Sequence, residues 1–221
     1  MSDVDPTPFP SSSAGAIAAP VRKRPKPGER RVQILQALAS MLEQPGADRI
    51  TTAALAAHLA VSEAALYRHF ASKAQMFEGL IEFIEQSVFS LINQIAERER
   101  KADTPDAGAG ARQAGQVVTM LMQFAEKNPG MTRVMVGDAL VFENERLQQR
   151  MNQFFDKIEA TLKQNLRGAA DLSGSATPSM DTQVRASVLM AFLVGRLQRF
   201  ARSNFKRLPC EHLQASLALM L

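Results

Sequence analysis

The chain has 221 residues, 46% of them apolar, a formal net charge of +4 and an isoelectric point near 9.5. Its single cysteine, Cys210, excludes an internal disulfide, and no apolar run approaches the ~20 residues of a membrane-spanning helix. Without a basic n-region or an apolar h-region, it reads as a soluble cytoplasmic protein with no membrane partner.

Helix formers dominate, Trp is absent and Tyr occurs once, so the composition predicts an all-α fold. Residues 1–28 hold many of the prolines and a Ser/Ala/Gly-rich tract, which predicts a disordered tail. Residues 22–31 set six basic side chains against the lone acid Glu29. That local excess accounts for the whole net charge and suits an arm along a DNA backbone, with Arg30 and Arg31 at its end.

A first helix is predicted over residues 29–44, with Val32, Leu35, Leu38, Ala39 and Leu42 as its apolar stripe. Pro45 and Gly46 end it. Thr51 or Thr52 can cap a second helix whose inner face is Leu55, Ala56 and Leu59. Ala60 and Val61 make a turn. Ser62 caps a third helix, residues 62–70, and Glu63 suits the positive end of its dipole. Leu66 and Phe70 point inward, leaving Ser62, Glu63, Ala64, Tyr67 and Arg68 outside. Ser72 and Gln75 form a capping box for a fourth helix over 73–100.

This third helix is short and has few core residues. The pattern of 50–77 is therefore read as a helix-turn-helix that sets one helix in the DNA major groove. Small residues at its start allow close approach: Ala64 or Ala65 can touch a thymine methyl, and Ser62 can bond phosphate or base. Thr51, Thr52, Tyr67, His69 and Lys73 are placed as phosphate contacts, and Arg68 shares base readout with the small residues.

The fourth helix carries a stripe from Phe77 through Leu80, Ile84 and Val88 to Ile95. Phe83 and Phe89 lie off it, about 240° and 120° round the axis from Phe77 at 100° per residue, so a second surface must receive them. Residues 101–111 contain a GAGA run, but no strand precedes it and no Walker lysine follows, so the reading is a loop. Further helices are predicted over 112–127, 131–140, 144–167 and 180–205, with Asn128-Pro129-Gly130 as a break and 168–178 as a second loop. A last helix runs to Leu221. Val188, Phe192 and Gly195 on the penultimate helix, with Leu213 and Leu217 on the last, are assigned to a four-helix dimer interface. Gly195 inside a helix costs ~1 kcal/mol against Ala, which close approach of another helix would justify.

Enzyme signatures are missing. His58, His69 and His212 lack metal-ligand spacing, and Cys210 has no companion pair. Neither GxSxG nor a dinucleotide fingerprint occurs. The expectation is a non-enzyme without cofactor or metal.

ITTAALAAHLAVSEAALYRHFASKAQMF resembles the DNA-binding domain of the TetR family of bacterial regulators. The carrying features are the threonines opening the second helix, the LAAHLAVS turn, the LYRHF recognition helix and the SKxxMF start of the fourth. The resemblance implies a homodimer paired through its last two helices, with domains at 29–75 (DNA-binding) and 76–221 (dimerisation and effector). Ala60 departs from the pattern, because that turn often carries glycine. A positive φ there would cost Ala ~1 kcal/mol.

Longer stretches, including FAEKNPGMTRVMVGDAL and VFENERLQQRMNQFFDKIEATLKQ, resemble the nucleoid occlusion factors within that family. This implies a sequence-specific DNA-binding protein of the nucleoid that inhibits assembly of the tubulin-like division protein FtsZ. On that reading the site is near-palindromic double-stranded DNA. Met76, Phe83, Ser87 and Ser90 on the fourth helix, with Met120, Gln123, Lys127 and Asn128 on the fifth, would then line a groove for the FtsZ tail. The alternative is a ligand-responsive repressor with a cavity among the C-terminal helices.

Overall fold

The computed structural model describes residues 28–45, 49–101, 108–172 and 177–221, except the side chains of 168–172. The proline-rich stretch through residue 27 lies outside them, and so does most of its basic tract. Among the described residues every regular element is a helix: α1 Glu29–Leu42, α2 Thr52–His58, α3 Glu63–Tyr67, α4 Lys73–Arg100, α5 Ala109–Lys127, α6 Pro129–Met135, α7 Glu145–Leu172, α8 Pro178–Arg202 and α9 Leu213–Met220. A short 3-10 turn, Asp138–Leu140, lies between α6 and α7.

Local chemistry explains the starts of the reading region. Thr51 Oγ1 accepts the Ala54 N–H at 3.1 Å, so Thr51 caps α2 and Thr52 is its first helical residue. Ser62 Oγ accepts the Ala65 N–H at 3.3 Å. Ser72 Oγ accepts the Gln75 N–H at 3.1 Å, and Gln75 Oε1 returns to the Ala71 N–H at 2.6 Å. The box therefore closes one residue earlier than the usual pattern. Ala60 adopts φ +52°, the left-handed turn for which glycine is suited.

α1 packs on α4 and on α2, and α2 on α3, and Ile34, Leu38, Leu55, Leu66, Phe70 and Phe77 are all buried in the core they share. Val32, expected in the α1 stripe, is 47% exposed, and Ile34 takes the inward position. α5 lies between α4 and α7, and α7 makes its longest contact with α8. The division expected at 75/76 falls in the first turn of α4, and buried apolar residues on both sides of it form one continuous cluster.

Two predicted breaks change on folding. All of the GAGA run but Gly108 is helical, because α5 begins at Ala109. A Cβ on Gly110 would sit 2.1 Å from the Asn165 carbonyl oxygen of α7, so that glycine permits close helix contact. α7 also continues past Gly168 to Leu172, inside the expected loop. At 128–130 one helix ends and another starts at once. Pro129 opens α6, and Gly130 presses on α1, where a Cβ would meet the Ala39 carbonyl oxygen at 1.9 Å. α6 is short, and Gly137 at φ +86° separates it from the 3-10 turn, so the single helix expected over 131–140 is divided. α8 stops at Arg202, where Asn204 and Phe205 turn left-handed.

Candidate nucleic-acid interface

The reading surface is built by the starts of α2, α3 and α4. Ser62, Glu63, Ala64, Tyr67 and Arg68 are exposed on α3 and its ends, with Tyr67 46% exposed. Ala65 is half-buried and turns towards the core, which leaves Ala64 as the small residue free to approach a base. Thr51 and Ser62 use their oxygens as caps, so each hydroxyl proton remains to donate to phosphate.

Several expected phosphate contacts are already engaged. Thr52 Oγ1 donates to Glu63 Oε2 at 2.6 Å, which commits its one proton. The Lys73 ammonium bonds Glu143 at the entry to α7, and its side chain is only 27% exposed. It is a paired cation, so a phosphate would have to compete with Glu143 for it. Arg31 is also a brace: its guanidinium donates to the His69 carbonyl at 2.7 Å and lies 4.2 Å from the Phe70 ring centre. That contact ties α1 to the end of α3, and half-buried His69 contributes its backbone to it. Arg30 donates to Gln33 at 2.9 Å within α1. Sequence spacing gives no sign of these long-range pairings.

α4 links this surface to a second one. Lys73 is paired with Glu143, Glu78 with Arg146 at 2.5 Å, and Glu85 with Arg150 at 2.6 Å. These bonds form a ladder from α4 to the start of α7. Ten residues beyond Lys73, about 15 Å along the axis, Phe83 stands 43% exposed. Phe89 instead packs inward, edge-on to Phe154 at 5.8 Å. The two off-stripe phenylalanines thus have different fates. Met76 shares the inward face of Leu80 and is buried, so it leaves the expected outer row.

A groove of about 780 Å³ runs between α4 and α5 and is closed at one end by α9. Leu91, Ile95 and Met120 supply its apolar lining, Gln94 and Gln123 line it too, and Arg98 stands at the α9 end. Gln116 Nε2 donates to Glu99 Oε1 at 3.2 Å, which sets α4 and α5 antiparallel and brings the Phe83 turn towards the Lys127–Asn128 end of α5. Of the residues assigned to a partner groove, Met120 and Gln123 line this one. Phe83, Lys127 and Asn128 are not among its lining residues. Lys127 is exposed, and Asn128 is half-buried with its amide donating to the Phe124 carbonyl at 2.7 Å. Arg98 escaped the sequence reading, although it stands fifteen residues after Phe83 and so on the same side of the helix.

The α8 surface carries a third feature. Met180, Val184 and Val188 are 63%, 52% and 48% exposed and share one face with Gly195, at which a Cβ would meet nothing within 4 Å. Phe192 is half-buried beneath the Arg196 guanidinium, 5.0 Å from its ring centre. Leu213 and Leu217, assigned to the same interface, are 4% and 5% exposed within the single chain. They are core residues with little surface left to offer, and the bare apolar residue of α9 is Leu219.

Comparison with known proteins agrees with this geometry. Residues 34–80 match the bacterial regulatory proteins of the tetR family, and residues 112–221 match the SlmA-like, tetracyclin repressor-like C-terminal domain. The nucleoid occlusion factor SlmA of Aliivibrio fischeri is 50% identical over 197 residues, covering 89% of this chain and 96% of that protein. SlmA of Idiomarina loihiensis is 48% identical over 191 residues, covering 86% and 93%. Among solved structures, the fatty acid degradation regulator FadR of Bacillus halodurans superposes with a TM-score of 0.68 at 15% identity, covering 89% and 96% of the two chains. FadR of Bacillus subtilis, solved with stearoyl-CoA, gives 0.66 at 15% identity, covering 86% and 96%. These last two show the fold alone. The chain therefore belongs to the TetR family and, within it, to the SlmA nucleoid occlusion factors.

Proposed function

We propose that a homodimer of this chain binds near-palindromic double-stranded DNA across the nucleoid and, from there, inhibits FtsZ assembly. The observation that carries the reading is the identity of about one residue in two with SlmA proteins, spread over both the DNA-reading and C-terminal parts. Three physical features support it. α3 exposes small and hydrogen-bonding side chains at its start, as major-groove reading requires. The bare apolar row on α8 suits a second copy, which would place two recognition helices about one DNA turn apart. Phe83 and the α4–α5 groove offer apolar anchors, and Lys127 at the end of α5 is an exposed cation, which suits an apolar, acidic peptide.

Co-sedimentation of FtsZ polymers with this protein, with and without specific DNA, tests the proposal. The expected result is DNA-dependent loss of polymer. Phe83→Asp should abolish that loss and leave DNA affinity within about twofold, since Phe83 is not core. Unchanged polymer with the intact protein and DNA would overturn the FtsZ reading.

The groove also gives the second reading its one observation. A ligand-responsive repressor would bind a small apolar molecule there. A thermal-shift screen decides this: a specific stabiliser that also lowers DNA affinity would favour the repressor.

A further inference from the structure

We infer that Glu63 is a specificity determinant, reading the exocyclic amino group of a cytosine in each half-site, with Thr52 as the residue that positions it. The inference rests on the assignment of α3 as the DNA-reading helix.

Glu63 is the first residue of α3, exposed beside Ala64 on the face that meets DNA. Among the described residues no cation lies within ion-pair distance of it. A carboxylate brought against a polyanion is repelled by every nearby phosphate. On a surface that binds DNA, it needs a donor to offset that repulsion. The major-groove edges supply few. Guanine presents only acceptors there and thymine an acceptor and a methyl group, so both repel or exclude a carboxylate oxygen. Adenine offers its amino group beside the N7 acceptor, a pattern matched by an amide, which can donate as well as accept. Cytosine presents the amino donor without an adjacent acceptor.

The bond from Thr52 narrows the choice further. Glu63 Oε2 takes the Thr52 hydroxyl at 2.6 Å, while Oε1 has no such partner. Oε1 is thus the carboxylate oxygen left without a partner to accept from a base. Thr52 is half-buried at the start of α2, a fixed point from which the bond restrains a side chain that would otherwise sample several rotamers. Because a hydroxyl has one proton, Thr52 cannot donate to phosphate while it holds Glu63. The bland role for Glu63 is to favour the positive end of the α3 dipole. That role stabilises the helix and carries no base preference, so the two are separable.

The test is selection from randomised duplexes with the full-length protein, followed by affinity measurement on each single-base variant of the selected site. The intact protein should require cytosine at one symmetric position in each half-site. Glu63→Gln should lose roughly tenfold discrimination there and nowhere else. Thr52→Val should relax the same position, and Thr52→Ser should restore it, a rescue that a packing role would not show. Glu63→Ala should also bind non-specific DNA more tightly, with repulsion removed. Circular dichroism melts establish that the variants are folded. An unchanged consensus with Glu63→Gln and Glu63→Ala, or equal weakening at all positions, would overturn the inference. Enrichment of no sequence by the intact protein would instead overturn the DNA-reading assignment, and the Glu63 role with it.

Discussion

Ala60 shows how one residue can record a local cost that the fold imposes. Its φ of +52° places a Cβ-bearing residue in the left-handed region between α2 and α3. Ala60→Gly should raise stability by up to about 1 kcal/mol, offset in part by the greater freedom of glycine in the unfolded chain. The measurement is a thermal melt, with an increase of about 2–4 °C expected for a chain this long. Cys210 gives a second residue-scale test. Burial first, and then the hydrogen bond and charge of Glu126, push its thiol up to about 12 from an ordinary 9.0. The thiol is therefore protonated at neutral pH, and alkylation at pH 8 should be far slower than in the unfolded chain. Glu126→Ala removes the second and third causes, so it should lower the pKa and speed labelling. Equal rates in both proteins would contradict this account.

At the scale of elements, the contact that matters is between α4 and the start of α7. Lys73 opens α4 at the DNA end, but its ammonium is held by Glu143. A phosphate approaching this helix start competes with that carboxylate. Glu143→Gln should free Lys73 and raise DNA affinity roughly two- to fivefold, the scale of a partly exposed ion pair. The salt dependence should steepen at the same time, by about one unit in the log–log slope. Titration at several salt concentrations checks both. The Glu78–Arg146 and Glu85–Arg150 pairs should keep α4 and α7 together in that variant. Because α4 also carries Phe83, the reading surface and the proposed partner groove share one continuous helix.

For the whole molecule, the question is which apolar surface a second copy covers. The α8 row of Met180, Val184 and Val188 is bare, whereas Leu213 and Leu217 of α9 are inside the chain. Val188→Arg should yield a folded monomer by sedimentation, with DNA affinity lowered on the order of 100-fold as two linked half-sites become one. Leu217→Ala should instead destabilise the fold by about 2–5 kcal/mol, the range for truncating a buried leucine. A Val188→Arg protein that remained dimeric would move the interface elsewhere.

Much of this protein was legible in local sequence because its helices announce themselves. The caps at Thr51, Ser62 and Ser72 are short-range hydrogen bonds, and the α4 stripe is a matter of helical period. The motif at 50–77 likewise placed the exposed face of α3, since a two-residue inward face on a short helix leaves the rest to solvent. What needed the tertiary structure was every pairing between distant segments. Composition alone does not reveal that Gly110 and Gly130 are seats for neighbouring carbonyls and not loop residues. Nor does it show that Lys73 and Arg31 are already partnered, seventy and thirty-eight residues away. Periodicity defined two stray phenylalanines on α4, but only packing sent Phe89 inward against Phe154 and left Phe83 outside. The physical reason is common to all of these cases. Helix starts and stripes depend on neighbours within a few residues, whereas burial and charge pairing depend on which helices meet, and that is decided by the packed chain as a whole.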